Sequence, residues 1–241
     1  MLRAAGAGVR AAVVCTQRFH LPRALFLARA AGIEAVGLVG YSPVLMVTNP
    51  GVKAANAKEL VALLKGAPDK YSYASAGNGT APHFAAELFR MSTGTSVLHV
   101  PYKGSAPAVT DTIGGQTQIM FPSLFTAIPY VKSGKLRAMG VAGNKRSALL
   151  PDVPTLKEQG IADVDVSQWY AIFAPAKTPK AVIDQLNKAL NAVLTDKAVE
   201  KRLEDHGADV ETSTPEQLKA FVQQEQVKWK KVVDAAKLKA D

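Results

Sequence analysis

The sequence predicts an α/β fold, in which short strands alternate with helices around a sheet that is largely parallel. Three observations support this prediction. Between residues 36 and 143, apolar runs of strand length alternate with segments whose apolar residues recur at helical spacing. The connections are short, so each helix returns the chain to the same end of the sheet. With 241 residues and 48% hydrophobic composition, the chain suffices for one large or two small domains.

The strands and helices follow one another from residue 36 onward. Residues 36–50 form an apolar run that Pro43 interrupts, which predicts one or two buried strands. Residues 56–65 follow as a helix, because leucines fall on one of its faces. The later elements alternate in the same way, with strands at 71–75, 96–100, 117–121 and 136–143 and helices at 84–91, 105–113 and 124–134.

The pattern changes after residue 143. A proline-rich connector at 148–161 leads to a strand at 166–175, and two or three helices complete the chain. Thr178-Pro179 and residues 213–217 (STPEQ) are typical helix starts, with Thr or Ser as N-cap before a proline. We interpret these last helices as packing elements. No apolar run reaches the roughly 20 residues that a membrane-spanning helix needs, so none is predicted.

Three strand-to-helix turns, at 75–82, 101–107 and 121–124, fall at the carboxyl edge of the predicted sheet. Ligands bind at this edge in open α/β sheets. In the first turn, Thr80 is the expected N-cap, so the helix after it directs unbonded N–H groups and its positive dipole end outward. Two glycines in this turn allow a small anion to approach the backbone. The turn is either a site for a carboxylate or a single phosphate, or merely a tight connection.

The second turn repeats this design. Tyr102, Lys103 and Gly104 precede Ser105, which is the expected N-cap, and Lys103 either neutralises a ligand charge or is simply exposed. Nucleotide binding is disfavoured, because the first turn lacks both the Lys-Ser/Thr of a Walker loop and the third glycine of a Rossmann loop. Two similar turns on neighbouring strands therefore favour one shared anion site.

Catalysis, metal binding and nucleic-acid binding are disfavoured. Ser75, His83 and Asp111 have the residue types of a catalytic triad, but no G-x-S-x-G elbow occurs, and no histidines are paired at i, i+4. We expect no catalytic residue, no metal and no cofactor. A hydrolase or transferase, and the effector-sensing domain of a transcription regulator, remain the alternatives. Residues 1–35 lack the apolar period of a helix-turn-helix, so no nucleic-acid partner is expected despite the net charge of +9.

Residues 1–35 differ in composition from the rest of the chain. They hold five arginines and one acidic residue, with no uninterrupted apolar core, so we recognise no secretory signal peptide. The composition fits an organellar transit peptide, and it equally fits a displaced start site or an altered reading frame. We therefore expect this segment to be atypical.

From about Val36 onward, the chain resembles the solute receptors of tripartite tricarboxylate transporters, called Bug proteins in some bacteria. The motifs are SAGNGTAPH at 75–83, HVPYKGSAPAVTDTIGGQTQIMF at 99–121, KLRAMGVAGNKRSALLPDVPTLKEQG at 135–160, and WYAIFAP at 169–175. The resemblance implies a type II periplasmic binding fold of two α/β domains that close on a small carboxylate. It also implies a periplasmic monomer, without enzymatic activity, that delivers its ligand to membrane transporter subunits.

The same resemblance implies the ligand-binding residues. Two of these residues are implied less directly. The family often has an acid or amide near position 123, where this chain has Ser123, and Trp169 is equally compatible with a buried core residue. The first domain would combine residues 1–48 with 140–241 and lack its leading strands, and residues 49–139 would form the second. We therefore expect a truncated or frame-altered member with weak or absent ligand binding. The implied ligand-binding residues are Ser75, Ala76, Gly77, Asn78, Gly79, Thr80, His83, Tyr102, Lys103, Gly104, Ser123 and Trp169.

Overall fold

One long strand organises the molecule. The computed structural model describes residues 33–236. Strand β1, Glu34–Thr48, is continuous through Pro43 and pairs with four other strands. Its residues 34–43 pair with β6, Ser167–Ala174, and its residues 44–48 pair with β5, Arg137–Ala142. Of the one or two strands predicted here, the structure has one, and it changes partners immediately after the proline.

The carboxyl-edge turns follow three parallel strands. Strand β2, Ser72–Ser75, lies between β3, Leu98–Pro101, and β4, Ile119–Met120, and pairs with both in parallel. The order in this part of the sheet is β3-β2-β4-β1-β5. The predicted parallel arrangement is therefore confirmed for these three strands. Strand β5 is separated from them because β1 lies antiparallel between β4 and β5.

This part of the sheet is buried on both faces. Val44 and Met46 pack into one apolar cluster, whereas Leu45 and Val47 pack into a second one. Since neighbouring side chains of a strand point to opposite faces, the two clusters lie on the two sides of the sheet. Helices α1, Ala57–Gly66, and α2, Ala81–Thr93, contribute to the first cluster, and α3, Ser105–Ile113, and α4, Leu124–Lys132, to the second.

The remaining elements pack around the first half of β1. They are α5, Lys180–Leu194, α6, Lys197–Glu204, β7, Asp209–Val210, and α7, Pro215–Ala236. The predicted helix start at Thr214 is confirmed, because Thr214 and Gln217 exchange side-chain to backbone hydrogen bonds in a capping box. At α5 the N-cap is Pro179 rather than the expected Thr178, whose hydroxyl donates to Pro175 O. Residues 157–159 of the connector form a short 3₁₀ helix.

Helix α7 reaches across to the other half of the molecule. The Trp229 ring lies 4.8 Å from the ring of Phe84 on α2, and only 2% of Trp229 is exposed. Strand β1 pairs with β6 before Pro43 and with β5 after it. The division of the chain into one domain of residues 1–48 and 140–241 and a second of residues 49–139 stays a prediction. The expectations for residues 1–32 lie outside the described residues. Between residues 33 and 236, no helix has the length and apolar composition to cross a bilayer.

Candidate functional site

The first turn connects β2 to α2 and is held together by its own side chains. The Ser75 hydroxyl accepts the Gly77 N–H at 3.1 Å, and the Thr80 hydroxyl donates to Gly77 O at 2.7 Å. Gly77 and Gly79 adopt φ of 126° and 71°, which side chains with a Cβ rarely tolerate. Thr80 is the N-cap of α2, as predicted, although its hydroxyl bonds within the turn instead of capping the helix.

Three amides of this turn already have acceptors within the protein. Gly77 N–H donates to Ser75 Oγ, Gly79 N–H donates to His83 Nδ1 at 3.0 Å, and Thr80 N–H donates to Gly77 O at 3.4 Å. This corrects the expectation that the amides of the turn point outward to an anion. Ala81, as the first residue of α2, has no acceptor for its N–H within the helix. The dipole end of α2 also lies here.

The second turn is bonded directly to the first. Tyr102 N–H donates to Ser75 O at 3.0 Å, and Gly104 N–H donates to Ala76 O at 3.1 Å. The N-cap of α3 is Gly104 rather than the expected Ser105, because the cap residue adopts φ of 124°, which suits glycine. The first two turns therefore form one hydrogen-bonded unit.

Two side chains of the second turn have separate roles. Lys103 is exposed, which was one of its two predicted outcomes. The Tyr102 hydroxyl donates to the Asp111 carboxylate at 2.8 Å. Partial burial and this hydrogen bond raise the pKa of Tyr102 to about 12. Asp111 is thus a partner of Tyr102, not the third member of a triad with Ser75 and His83.

Ser123 follows β4, the strand next to β2, and is the N-cap of α4. Its hydroxyl accepts the Thr126 N–H at 3.4 Å and lies 3.0 Å from the Thr126 hydroxyl. The side chain is buried, and a backbone bridge joins the residue to Val44. These contacts describe a helix cap at the same edge of the sheet as the first turn.

Trp169 lies in a different part of the molecule. It is on β6 opposite Tyr41, and its ring is 5.5 Å from that of Phe221 in an edge-on contact. The indole belongs to an apolar cluster with Leu38 and Leu218. The contacts described for Trp169 are therefore core contacts, and its ligand-binding role stays a prediction.

A stack of rings behind the first turn was missed in the sequence. The His99 ring lies 4.6 Å from Tyr73 and 4.2 Å from His83, nearly parallel to both. His99 Nε2 is 2.7 Å from Ser75 Oγ. Burial, together with the His83 ring, lowers the pKa of His99 to about 4. His99 therefore stays neutral at physiological pH and supports the hydroxyl that accepts the Gly77 amide.

The stack ends at a charged pair, in which Glu87 is buried and Arg90 is partly exposed. The Tyr73 hydroxyl donates to Glu87 Oε1 at 2.6 Å, and Glu87 pairs with Arg90 at 2.8 Å. Burial and the Glu87 carboxylate raise the pKa of Tyr73, so the phenol remains protonated. The i, i+4 spacing of His83 and Glu87 places both on one face of α2, and this spacing was the only part of the arrangement visible in the sequence.

An exposed aromatic residue lies after the third turn. Phe125 is 45% exposed, and its ring is 6.0 Å from that of His206. The Phe125 N–H donates to Ser42 Oγ at 3.4 Å, and the Ser42 hydroxyl donates to Gly207 O at 2.9 Å. These bonds connect β1, α4 and the loop before β7. The sequence could not predict these bonds, because Ser42, Phe125 and Gly207 are far apart in the chain.

Comparison with solved structures defines the class of protein. Periplasmic binding protein BugD superposes with a TM-score of 0.81 at 34% identity, over 87% of this chain and 71% of BugD. An R. palustris protein with adipate gives 0.84 at 26% identity, over 87% of this chain and 70% of that one. MatC from Rhodopseudomonas palustris with bound malate gives 0.78 at 29%, over 83% and 69%. The fold is that of a type II-like periplasmic binding protein.

The family follows from the sequence comparisons. Residues 8–238 match the tripartite tricarboxylate transporter family receptor, and the chain belongs to this family. BugT of Bordetella pertussis is 35% identical over 206 residues, which are 85% of this chain and 63% of BugT. A UPF0065 protein of Pseudomonas sp. strain P51, from the tcbD-tcbE intergenic region, is 34% identical over 82% of this chain and 61% of its own length. The chain thus spans somewhat over three fifths of these relatives.

Proposed function

We propose that this protein is a receptor that captures a small carboxylate for a tripartite tricarboxylate-type transporter. The main support for this proposal is that residues 8–238 match this receptor family. Two structural relatives with TM-scores of 0.84 and 0.78 are described with adipate and with malate. These ligands share carboxylate groups on a short carbon chain. The partners we propose are therefore such an acid and the membrane subunits of the transporter.

We place the ligand at the carboxyl edge of β2, β3 and β4. The Ala81 N–H and the dipole end of α2 favour an anion there. The bonds from Tyr102 and Gly104 to the first turn hold two of the three turns in one fixed arrangement. Preorganisation of this kind reduces the cost of binding. All twelve ligand-binding residues implied by the resemblance remain our proposal for the site, with Trp169 and the fully buried Ser75 supported least.

The proposed site lies between two domains with the predicted boundaries, and the proposed location is the periplasm. BugD, which is 34% identical, is described as a periplasmic binding protein, and this supports the location. The continuous strand β1 contributes to both groups of strands, so it would connect the domains. We further propose that the receptor acts as a monomer.

A catalytic function receives no support from the geometry. Ser75 and His99 are in contact, yet Ser75 is fully buried and a nucleophile must reach its substrate. Asp111 bonds to Tyr102. Within residues 33–236, no specific observation favours an effector-sensing domain. We therefore propose a receptor and not an enzyme.

Calorimetric titration with adipate, malate, citrate, succinate, glutamate and benzoate tests the proposal. At least one acid should bind saturably, and its analogue with every carboxylate converted to an amide should not bind, because only the acid carries the negative charge. A ligand at one hundred times its Kd would stabilise the fold by about 2.7 kcal/mol. If no acid binds at millimolar concentration to the folded protein, the proposed function is wrong.

Two glycine variants make a matched pair for the same titration. Gly79 has φ of 71° in the first turn, and Gly134 has φ of 72° in open space at the end of α4. Alanine in this left-handed region costs roughly 1 to 2 kcal/mol, so both variants should lose similar stability. Only Gly79→Ala should weaken ligand binding. Equal affinities in the two variants would place the ligand elsewhere.

A further inference from the structure

The Gly79 amide bonds to a side chain that can take up a proton. Its N–H donates to His83 Nδ1 at 3.0 Å. Because this nitrogen accepts, a neutral His83 ring carries its proton on Nε2. The ring is 5% exposed, whereas Gly79 is half-buried. A ligand therefore approaches this hydrogen bond from the side of the amide.

Charged and titratable groups near His83 lie on four elements. On β3, the His99 ring stacks on it at 4.2 Å, and on β2 the Tyr73 ring lies at 6.4 Å. On its own helix, Glu87 is one turn further on and pairs with Arg90. Helix α7 packs on the neighbouring Phe84 through Trp229, which contacts two further charged side chains. These side chains are Glu225 and Lys228.

A nearby anion would change the balance of charges around His83. Glu87 favours a positive charge on the ring, whereas Arg90, burial of the ring and the positive dipole end of α2 oppose it. His99 has a pKa of about 4, so it stays neutral near pH 7 and adds no charge of its own. A carboxylate beside Gly79 would add a negative charge on the open side of the ring and favour the imidazolium form.

We propose that a bound carboxylate replaces His83 Nδ1 as the acceptor of the Gly79 N–H, and that His83 then takes up a proton from solvent at this nitrogen. This inference rests on the proposed function. The new bond from Gly79 to the ligand is charge-assisted, and such bonds are roughly twice as strong as neutral ones. The proton satisfies the released Nδ1 and neutralises one charge of the ligand. Each bound ligand therefore brings up to one proton with it.

The pH dependence has a definite sign. The complex binds the proton more tightly than the free protein does, so affinity rises as pH falls. The limiting slope for one proton is about tenfold in affinity per pH unit. Without the exchange, affinity should stay constant between about pH 6 and 8, because carboxylic acids titrate near pH 4.

The test is titration calorimetry of the full chain with adipate and with malate in two buffers of different ionisation enthalpy, near pH 7. The observed heats should differ by the uptake of up to one proton per ligand. Affinity should rise severalfold from about pH 8 to 6. In His83→Asn, the side-chain amide oxygen is bonded to Cγ, as Nδ1 is in histidine. It can therefore still accept the Gly79 N–H. Any binding that this variant retains should be independent of buffer and pH.

Nitrogen NMR of the ligand-free protein checks the starting state, in which His83 should carry its proton on Nε2. A ligand-free ring protonated on Nδ1 would overturn the inference. Saturable binding with equal heats in both buffers would also overturn the inference. A buffer dependence that persists in His83→Asn would overturn it as well. Both results would leave the proposed function intact. Failure of every acid to bind would remove the proposed function and this inference together.

Discussion

Ser75→Ala tests whether the buried contacts behind the first turn stabilise the fold. The Ser75 hydroxyl is fully buried, accepts the Gly77 N–H at 3.1 Å and lies 2.7 Å from His99 Nε2. Alanine leaves a buried amide without this acceptor and a partly buried imidazole without this partner. An unsatisfied buried polar group costs about 1 to 3 kcal/mol. We expect a loss near 2 kcal/mol, which is the middle of this range.

Urea unfolding near pH 7.5 measures this loss, and Ser133→Ala is the control. The Ser133 hydroxyl is exposed and bonds to Pro129 O at the end of α4, so its removal should change stability by less than about 0.5 kcal/mol. In a chain of this size, about 2 kcal/mol corresponds to a fall in Tm of roughly 4 to 8 °C. A loss no larger than that of the control would refute the reasoning.

A double-mutant cycle separates the Ser75–His99 contact from the rest. His99→Phe keeps a ring between Tyr73 and His83 but has no nitrogen to bond to Ser75. If the contact stabilises the fold, His99→Phe should cost less in the Ser75→Ala background than in the wild type. Additivity within about 0.3 to 0.5 kcal/mol would show that the contact contributes nothing measurable.

Three further predictions concern stability. Gly40→Ala should prevent folding or lower Tm strongly, because an added Cβ would lie 2.2 Å from Asp209 O; a Tm within a few degrees of wild type would contradict this. Trp229→Ala should cost roughly 3 to 5 kcal/mol in urea unfolding, since it removes a buried ring that packs on Phe84; a cost below about 1 kcal/mol would contradict it. The pKa of His99 is about 4 in the fold against 6.5 as the ordinary value, so stability should decline as pH falls from 6.5 toward 4. His99→Phe should reduce this decline. An unchanged pH profile in this variant would show that protonation of His99 does not cause it.

The elements of the fold were predictable because their signals are local. The leucines of α1 and the alternation of short strands with helices are visible within windows of about ten residues. The antiparallel insertion of β1 between β4 and β5 was not predictable, because strand direction depends on partners 71 to 98 residues away in the chain. Pro43 suggested an interruption, yet β1 continues through it because the proline lies where the strand changes partners.

The meeting of the strand-to-helix turns at one edge of the sheet was predictable, but the direction of their N–H groups was not. Glycines at 77 and 79 indicate that the backbone is free to adopt positive φ, without indicating which way the N–H groups then point. The acceptors that turn them inward are Ser75, two residues from Gly77, and His83, four residues from Gly79. His99 was missed because its place beside Ser75 depends on the pairing of β2 with β3.

The bonds between the two turns bear on how an anion would be accommodated. Moving the first turn away from the second would break the bonds from Tyr102 N–H and Gly104 N–H, at about 0.5 to 1.5 kcal/mol each, together with the Ser75–His99 contact. Exchanging the acceptor of the Gly79 N–H breaks one bond and forms a charge-assisted one in its place. The exchange therefore costs less than a movement of the whole turn. For this reason we expect the backbone of both turns to keep its present arrangement when a carboxylate binds, with the change confined to the His83 ring and its proton.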